Sequence, residues 1–244
     1  MLHGHERDRY DLSFSIPAEC ADRLAARTAE IGIVPSIEAA RQQLEIIPGA
    51  GIACRGPVRS ILLVTKVSPD RIRKLATDSS SRSSAMLARI VLARRYGAEP
   101  EVVSLPPDLP AMLEAADAAL VIGDPALRLD PKRLPWASLD LGAEWCEMTG
   151  LPMVFAVWAC HSGYSTPEAA ADFASSCRFG LENLDEIVRL EAPARDLSEA
   201  LAREYLTRNI VFELGEREYE GMRLFVRYAR EFDTVVSSGG AKVL

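Results

Sequence analysis

The sequence lacks the features that define several common classes of protein. Acidic residues outnumber basic ones and give a net charge of −7, whereas proteins that bind the phosphate backbone of nucleic acids normally need a basic surface. No apolar run approaches the roughly 18–20 residues of a membrane-spanning helix. The cysteines are odd in number and form no C-x-x-C pair, which argues against a disulfide framework and against a thiolate zinc site. They are Cys20, Cys54, Cys146, Cys160 and Cys177.

Motifs that hold cofactors are missing as well. The sequence contains no H-E-x-x-H, P-loop or G-x-G-x-x-G motif, so it gives no reason to expect a metal, ATP, a dinucleotide or any other cofactor. Its first residues, MLHGHERDRYDLSF, include no apolar segment of the kind that a secretory signal peptide has. We therefore expect a cytoplasmic protein whose partner is neither a nucleic acid nor a membrane. The sequence does not indicate an oligomeric state.

What the sequence does contain is an alternation of strand-like and helix-like segments. The 244 residues, 48% of them hydrophobic, are enough for one large domain or two lobes. The run RSILLVTK predicts a strand, and SSAMLARIVLARRYG predicts a helix that ends at Gly97. DLSFSIP places Leu12, Phe14 and Ile16 on one face, as in a half-buried strand. After about Ser165 the pattern is helical. This alternation of segments predicts an α/β fold with a helical last third. Ligands in such folds bind at strand ends.

The stretch DSSSRSSAML, from Asp78 to Leu87, places five serines and an arginine before an apolar helix. A helix N-terminus offers unpaired backbone N–H groups and partial positive charge, and serine hydroxyls add rotatable donors. The segment therefore fits an anion site. Its candidate residues are Ser79, Ser80, Ser81, Arg82 and Ser83. The alternative is a simple helix cap, in which one serine caps the helix and the others are solvated.

Two further turns follow predicted strands. In VPSIE, Ser36 and Glu38 follow the predicted strand as candidate ligand contacts, although Glu38 could equally be a first-turn acid that stabilises the helix dipole. In IGDPAL, Gly123 allows close approach of the backbone, and Asp124 either binds a hydroxyl group or caps the next turn.

A third candidate pair lies between two predicted strands. Arg59 and Ser60 stand at the start of the predicted strand RSILLVTK. An arginine there could pair with a substrate carboxylate through two parallel hydrogen bonds. A surface salt bridge is an equal alternative.

Several stretches together resemble one family, the chorismate dehydratases of menaquinone biosynthesis by the futalosine pathway (the MqnA family). The resemblance covers most of the chain and keeps the order of the segments. The stretches are VPSIE, GPVRSILLVTK, DSSSRSSAML, ADAALVIGDPAL, DLGAEWCEMTGLPMVFAVWA and YLTRNIVFELGEREYEGMRLF.

This resemblance implies an α/β, two-lobed fold like that of type II periplasmic binding proteins, with residues 1–62 and 160–244 in one lobe and 63–159 in the other. It implies a hydro-lyase that converts chorismate, a small dicarboxylate, into 3-[(1-carboxyvinyl)oxy]benzoate and water in the cleft. On this fold Ser36 and Glu38 would face the cleft, and Arg59 and Ser60 would stand where the chain enters the hinge between the lobes. Ser80, Ser81 and Glu38 are then the expected catalytic residues, and the other candidates are expected to bind substrate. The general base is Glu38 or a carboxylate of the substrate itself.

The alternatives are a non-catalytic binder of a small carboxylate and the sister 1,4-dihydroxy-6-naphthoate synthase. The start of the sequence also departs from the family, whose members open with a strand and a turn that carries an asparagine. Losing an interior strand would leave backbone groups unpaired, at ~1–3 kcal/mol for each buried group. We therefore expect that Met1 is a misplaced start. A chain truncated in this way should fold weakly and have little or no activity.

Overall fold

Two β-sheets with helices packed around them make up the fold. The structure, a computed structural model, describes residues 3, 4, 6, 8–78 and 82–238. The strands in these residues are β1 (Ile31–Pro35), β2 (Glu45–Cys54), β3 (Ile61–Thr65), β4 (Lys74–Thr77), β5 (Glu101–Ser104), β6 (Ala118–Ile122), β7 (Ala137–Asp140), β8 (Met153–Cys160) and β9 (Val211–Glu213). The helices are α1 (Pro17–Ala25), α2 (Ser36–Arg41), α3 (Arg82–Tyr96), α4 (Leu109–Ala115), α5 (Gly123–Arg128), α6 (Leu141–Thr149), α7 (Pro167–Glu182), α8 (Leu184–Ala194), α9 (Glu199–Glu204) and α10 (Glu216–Ser238). A 3-10 turn spans Pro69–Arg71 and a π-helical turn spans Tyr205–Asn209.

The first sheet has the strand order β1-β8-β2-β9, and its pairings are antiparallel. The second sheet has the order β5-β4-β6-β3-β7. In it, β4 runs parallel to β5 and β6, whereas β3 is antiparallel to β6 and β7. The chain crosses from the first sheet to the second after β2 and returns before β8.

One hydrophobic core joins the two sheets. Leu63 and Leu120 from the second sheet belong to the same buried cluster as Met153, the first residue of β8. Trp145 of α6 and Phe225 of α10 belong to the same cluster. Their ring centroids are 6.0 Å apart in an edge-to-face arrangement. Because both side chains are fully buried, α6 and α10 hold the junction between the sheets in place.

Local sequence patterns predicted most of these elements correctly. α3 ends at Gly97, which has φ +65° as a helix C-terminal glycine should. α7 begins after Thr166, whose hydroxyl accepts a hydrogen bond from the Ala169 N–H. From Pro167 to Ser238 the described chain is mainly helical and includes the short strand β9.

The prediction of a strand at DLSFSIP is wrong. Residues 11–16 are assigned to no strand, and the side chains of Phe14 and Ile16 are 77% and 55% exposed. The alternating pattern is present, but in the described part of the chain β1 is the last strand of its sheet and pairs only with β8. A cavity of about 840 Å³ lies between residues 11–15 and 28–33 instead.

The division into lobes at 1–62, 63–159 and 160–244 stays a prediction. By sheet membership, β8 belongs with β1 and β2 in the first sheet, and β3 already begins at Ile61. The return crossing therefore precedes Met153. None of the helices in the described residues combines the length and apolarity that crossing a bilayer requires.

Candidate active site

The candidate residues lie where strand ends of the second sheet meet a strand end of the first. β4 and β6 are parallel neighbours, so the chain leaves Thr77 and Ile122 at the same end of the second sheet, the carboxyl end of these strands. Ser60 lies there as well, because Ile61 pairs with Ile122. From the first sheet, Ser36 follows the end of β1. Helix α2 packs directly on α3, which brings the strand ends of the two sheets together.

A directed chain of hydrogen bonds joins the two sheets at this point. The Ile37 N–H donates to the Ser83 hydroxyl at 3.3 Å, and the Ser36 hydroxyl donates to the Val154 carbonyl at 2.7 Å. The two hydroxyl oxygens are 3.3 Å apart, and since the Ser36 proton is already committed, Ser83 must be the donor between them. Both serines are buried. Their hydroxyl protons therefore hold α2, α3 and β8 together.

Arg82 and Glu38 form an ion-pair network beside these serines. Glu38 accepts from Arg41 through Oε1 at 3.1 Å and from Arg82 through Oε2 at 3.2 Å. Arg82 also donates to both carboxylate oxygens of Asp22, at 2.8 and 2.9 Å. Burial disfavours the charge on Arg82, but the hydrogen bond to Asp22 and the charge of Glu38 outweigh it and raise the pKa of the guanidinium. Arg82 is thus a fixed cation, oriented by protein carboxylates.

A second group lies at the neighbouring strand ends. The Tyr205 hydroxyl donates to the Ser60 hydroxyl at 3.0 Å, and the Gly123 N–H donates to the Ser60 carbonyl at 2.8 Å. Burial raises the pKa of Tyr205; the hydrogen bond with Ser60 opposes this in part, and the nearby charge of Asp124 adds to the rise. Tyr205 is therefore a neutral hydrogen-bond donor near neutral pH. Asp124, in the first turn of α5, pairs loosely with Arg195 at 3.7 Å.

The guanidinium of Arg59 is occupied by backbone carbonyl groups at the end of α5. Its guanidinium donates to the carbonyls of Ala126, at 2.9 Å, Leu127 and Leu129, where α5 ends. These contacts satisfy carbonyls that a helix C-terminus leaves open. The predicted pairing of Arg59 with a substrate carboxylate is not supported by this position of the side chain.

Asp140 fixes the neighbouring chain crossing. Its carboxylate accepts from the N–H groups of Val58 and Arg59 at 2.9 and 2.6 Å, and also from those of Gly142 and Ala143, both at 3.0 Å. One side chain therefore caps α6 and holds the segment that carries Ser60.

The structure thus brings the candidates into two groups near the point where the two sheets meet. Ser36, Glu38, Arg82 and Ser83 form the first, and Ser60, Gly123 and Asp124 form the second. Ser79, Ser80 and Ser81 lie outside the described residues. Tyr205 and Asp140 were missed: Tyr205 stands in a π-helical turn, a feature frequent at functional sites but without a sequence signature. No cluster of three or more metal-ligating side chains occurs among the described residues.

The sequence model of a family described as menaquinone biosynthesis matches residues 1–231. The chain belongs to this family. A chorismate dehydratase from Thermus thermophilus is 28% identical over 86% of this chain and 83% of its own length. A chorismate dehydratase from Campylobacter jejuni is 26% identical over 87% of this chain and 80% of its own length.

Solved structures confirm the predicted periplasmic-binding-protein-like fold. Protein AF1704 from Archaeoglobus fulgidus superimposes with a TM-score of 0.72 at 20% identity, covering 91% of this chain and 86% of that one. The periplasmic aliphatic sulphonate binding protein SsuA from Escherichia coli superimposes with a TM-score of 0.62 at 16% identity, covering 91% and 75%. At these identities the similarity concerns the fold alone.

Proposed function

We propose that this member of the menaquinone biosynthesis family is a chorismate dehydratase, a carbon–oxygen lyase that removes water from chorismate to give 3-[(1-carboxyvinyl)oxy]benzoate. The observation that carries the proposal is that two curated relatives that align over most of the chain are chorismate dehydratases. The cytoplasm stays the predicted compartment.

The reaction asks little of the protein beyond orientation and proton handling. Loss of a ring proton and a hydroxyl group makes the ring aromatic, so the substrate supplies the driving force. The protein must hold two carboxylates, assist the departing hydroxyl and accept the proton. Ser79, Ser80 and Ser81, ahead of the N-terminus of α3, remain the proposed donors to a substrate carboxylate. Arg82 adds a fixed positive charge at the N-terminus of α3.

For the departing hydroxyl we assign Ser60. Its oxygen already accepts a hydrogen bond from Tyr205, so its own proton is directed elsewhere. A donor polarised in this way can stabilise negative charge that develops on a leaving oxygen. Tyr205 acts through Ser60 and is therefore a positioning residue.

For the proton acceptor we favour Asp124 over Glu38. Both oxygens of Glu38 already accept hydrogen bonds from guanidinium groups, an arrangement suited to orienting Arg82. Asp124 lies close enough to Tyr205 to influence its titration, and among the described residues its one ion pair is the loose contact with Arg195. Gly123, which precedes it with φ +65°, gives the backbone the turn that positions this carboxylate.

The test is turnover of chorismate by the purified 244-residue chain, followed by ultraviolet absorbance and by mass. A product lighter than chorismate by one water supports the proposal. Binding of chorismate without any product, both by this chain and by a version extended upstream of Met1, would make the protein a binder, and formation of 1,4-dihydroxy-6-naphthoate from the sister enzyme's substrate would make it the synthase. Either result overturns the proposal.

A matched pair of amide variants distinguishes the roles of Asp124 and Glu38. We expect Asp124→Asn to lower kcat by at least about 10²-fold, the lower range for removal of a general base. Glu38→Gln keeps a hydrogen-bond acceptor for one arginine, so it should lower kcat less. The reverse order would return the role of base to Glu38.

A further inference from the structure

Two cysteine thiols meet where the chain crosses between the sheets. Cys54, the last residue of β2, is buried, and Cys146 in α6 is half-buried. They are separated by β3–β7 in sequence, so their approach is a product of the fold. Neither has a role in the proposed reaction.

Three independent contacts place the two sulfur atoms together. Cys54 stands opposite Met153 in the β2–β8 register, and the Cys146 sulfur accepts a hydrogen bond from the Met153 N–H. A Cβ at Gly142 would lie only 2.7 Å from the Cys54 sulfur. Because Gly142 and Cys146 are four residues apart in α6, they lie on the same helix face. Cys54 therefore packs against the turn of α6 that carries Cys146.

The two thiols differ in reactivity. A hydrogen bond between them, together with burial, raises the pKa of Cys54. The same hydrogen bond lowers the pKa of Cys146, and burial opposes this only in part. Thiolates are the form that reacts with oxidants. Cys146 is thus the better nucleophile of the pair as well as the more accessible.

We propose that Cys54 and Cys146 form an oxidation site at which a peroxide closes an intramolecular disulfide. The Cys146 thiolate attacks hydrogen peroxide, which breaks the O–O bond and yields a sulfenic acid and hydroxide. The Cys54 sulfur then attacks the sulfenic sulfur, a new S–S bond forms, and water leaves with the thiol proton. In total the two thiols lose two electrons and two protons, and the peroxide is reduced to two waters.

This disulfide joins the end of β2 to α6 and encloses the whole second sheet in one covalent loop. It spans the crossing segment that carries Ser60, and Cys54 is near enough to Tyr205 to affect its titration. Oxidation at this site therefore acts next to the candidate active site, through the backbone that supports it.

The experiment treats the whole protein with one equivalent of hydrogen peroxide and then alkylates it in denaturant without reductant. We expect a linked pair of peptides that contain Cys54 and Cys146, lighter by two hydrogens, and its disappearance after dithiothreitol. Two of the five thiols should escape alkylation. Cys146→Ser should abolish the linked pair, whereas Cys177→Ser, a matched half-buried cysteine in α7, should leave it unchanged.

Two results would overturn the proposal. One is a Cys146 that is oxidised to sulfinic acid while Cys54 is alkylated in full. The other is a disulfide that pairs either residue with Cys20 or Cys177. Both are read from the unmodified protein, so the test stands even if a cysteine variant does not fold.

Discussion

Replacing Tyr205 by phenylalanine removes one hydroxyl from the candidate site and little else. The ring packs against the main core cluster, and phenylalanine keeps that packing. The hydrogen bond lost is the 3.0 Å donation to Ser60, whose side chain is only 4% exposed. Ser60 Oγ then loses its protein donor in a place that water reaches poorly.

The magnitude follows from that burial. A neutral hydrogen bond contributes about 1 kcal/mol, and a buried group left without its partner costs about 1–3 kcal/mol. If Ser60 stabilises the departing hydroxyl, about 1–2 kcal/mol of this should appear in the transition state, which lowers kcat by roughly 5–30-fold. Ser60→Ala removes the donor itself and should cost about 10²-fold or more. KM should change little in both variants, because the leaving group gains charge only in the transition state.

Steady-state kinetics with chorismate on the two single variants and the double variant test the reasoning. If Tyr205 acts only through Ser60, the double variant should be no slower than Ser60→Ala, since the effects of residues acting as a unit do not add. Multiplied losses in the double variant would refute a relay through Ser60. So would a Tyr205→Phe enzyme with unchanged kcat.

The other predictions concern stability and are measured by urea unfolding. Asp140→Ala removes a carboxylate that caps α6 and holds the crossing segment. It should lower the free energy of unfolding by at least about 2 kcal/mol, the upper range for an N-cap, and a loss below about 0.5 kcal/mol would contradict that role. Phe14→Ser should change stability by no more than about 0.5 kcal/mol because Phe14 is exposed, whereas Phe225→Ala in the core should cost about 3–5 kcal/mol; a large loss at Phe14 would mean that residues 11–16 pair as a strand after all. Burial alone would raise the pKa of Glu218, but hydrogen bonds from Arg55 and a backbone N–H outweigh it and lower the pKa in the folded state. Its stabilisation should thus be present above the unfolded-state pKa of about 4.3 and be lost as the pH falls below it; Glu218→Gln should reduce stability at pH 7 and differ little from the parent in acid, and an equal deficit at both pH values would count against this account.

Most of the fold could be predicted from local pattern. Strands such as Ile61–Thr65 and helices such as Arg82–Tyr96 lie where the sequence predicts them, because their apolar spacing is set by the residues themselves. The segment DLSFSIP shows the limit of that approach. Alternation fits a residue for one face of a sheet, but a strand also needs a neighbour to complete its backbone hydrogen bonds, and residues 11–16 have no strand neighbour among the described residues.

The position of β8 was harder to predict for a related reason. Its unbroken apolar run, MVFAVWAC, is typical of a strand that is buried on both faces. The run does not say to which sheet the strand belongs. The pairing of Val157 with Val34 and Gly51, both far away in sequence, settles that question.

The same distinction explains the mixed outcome at the candidate site. A polar residue that holds two elements together and one that waits for a ligand have the same sequence signature, namely small hydroxyl residues at a strand end. Their hydrogen-bond partners separate the two cases. Ser36 and Ser83 use their hydroxyl protons in hydrogen bonds that join α2, α3 and β8. Ser60 instead accepts a hydrogen bond from Tyr205, 145 residues away. Only the second arrangement leaves a hydroxyl proton to offer to a substrate, and for that reason the departing hydroxyl is assigned to Ser60 rather than to Ser36 or Ser83.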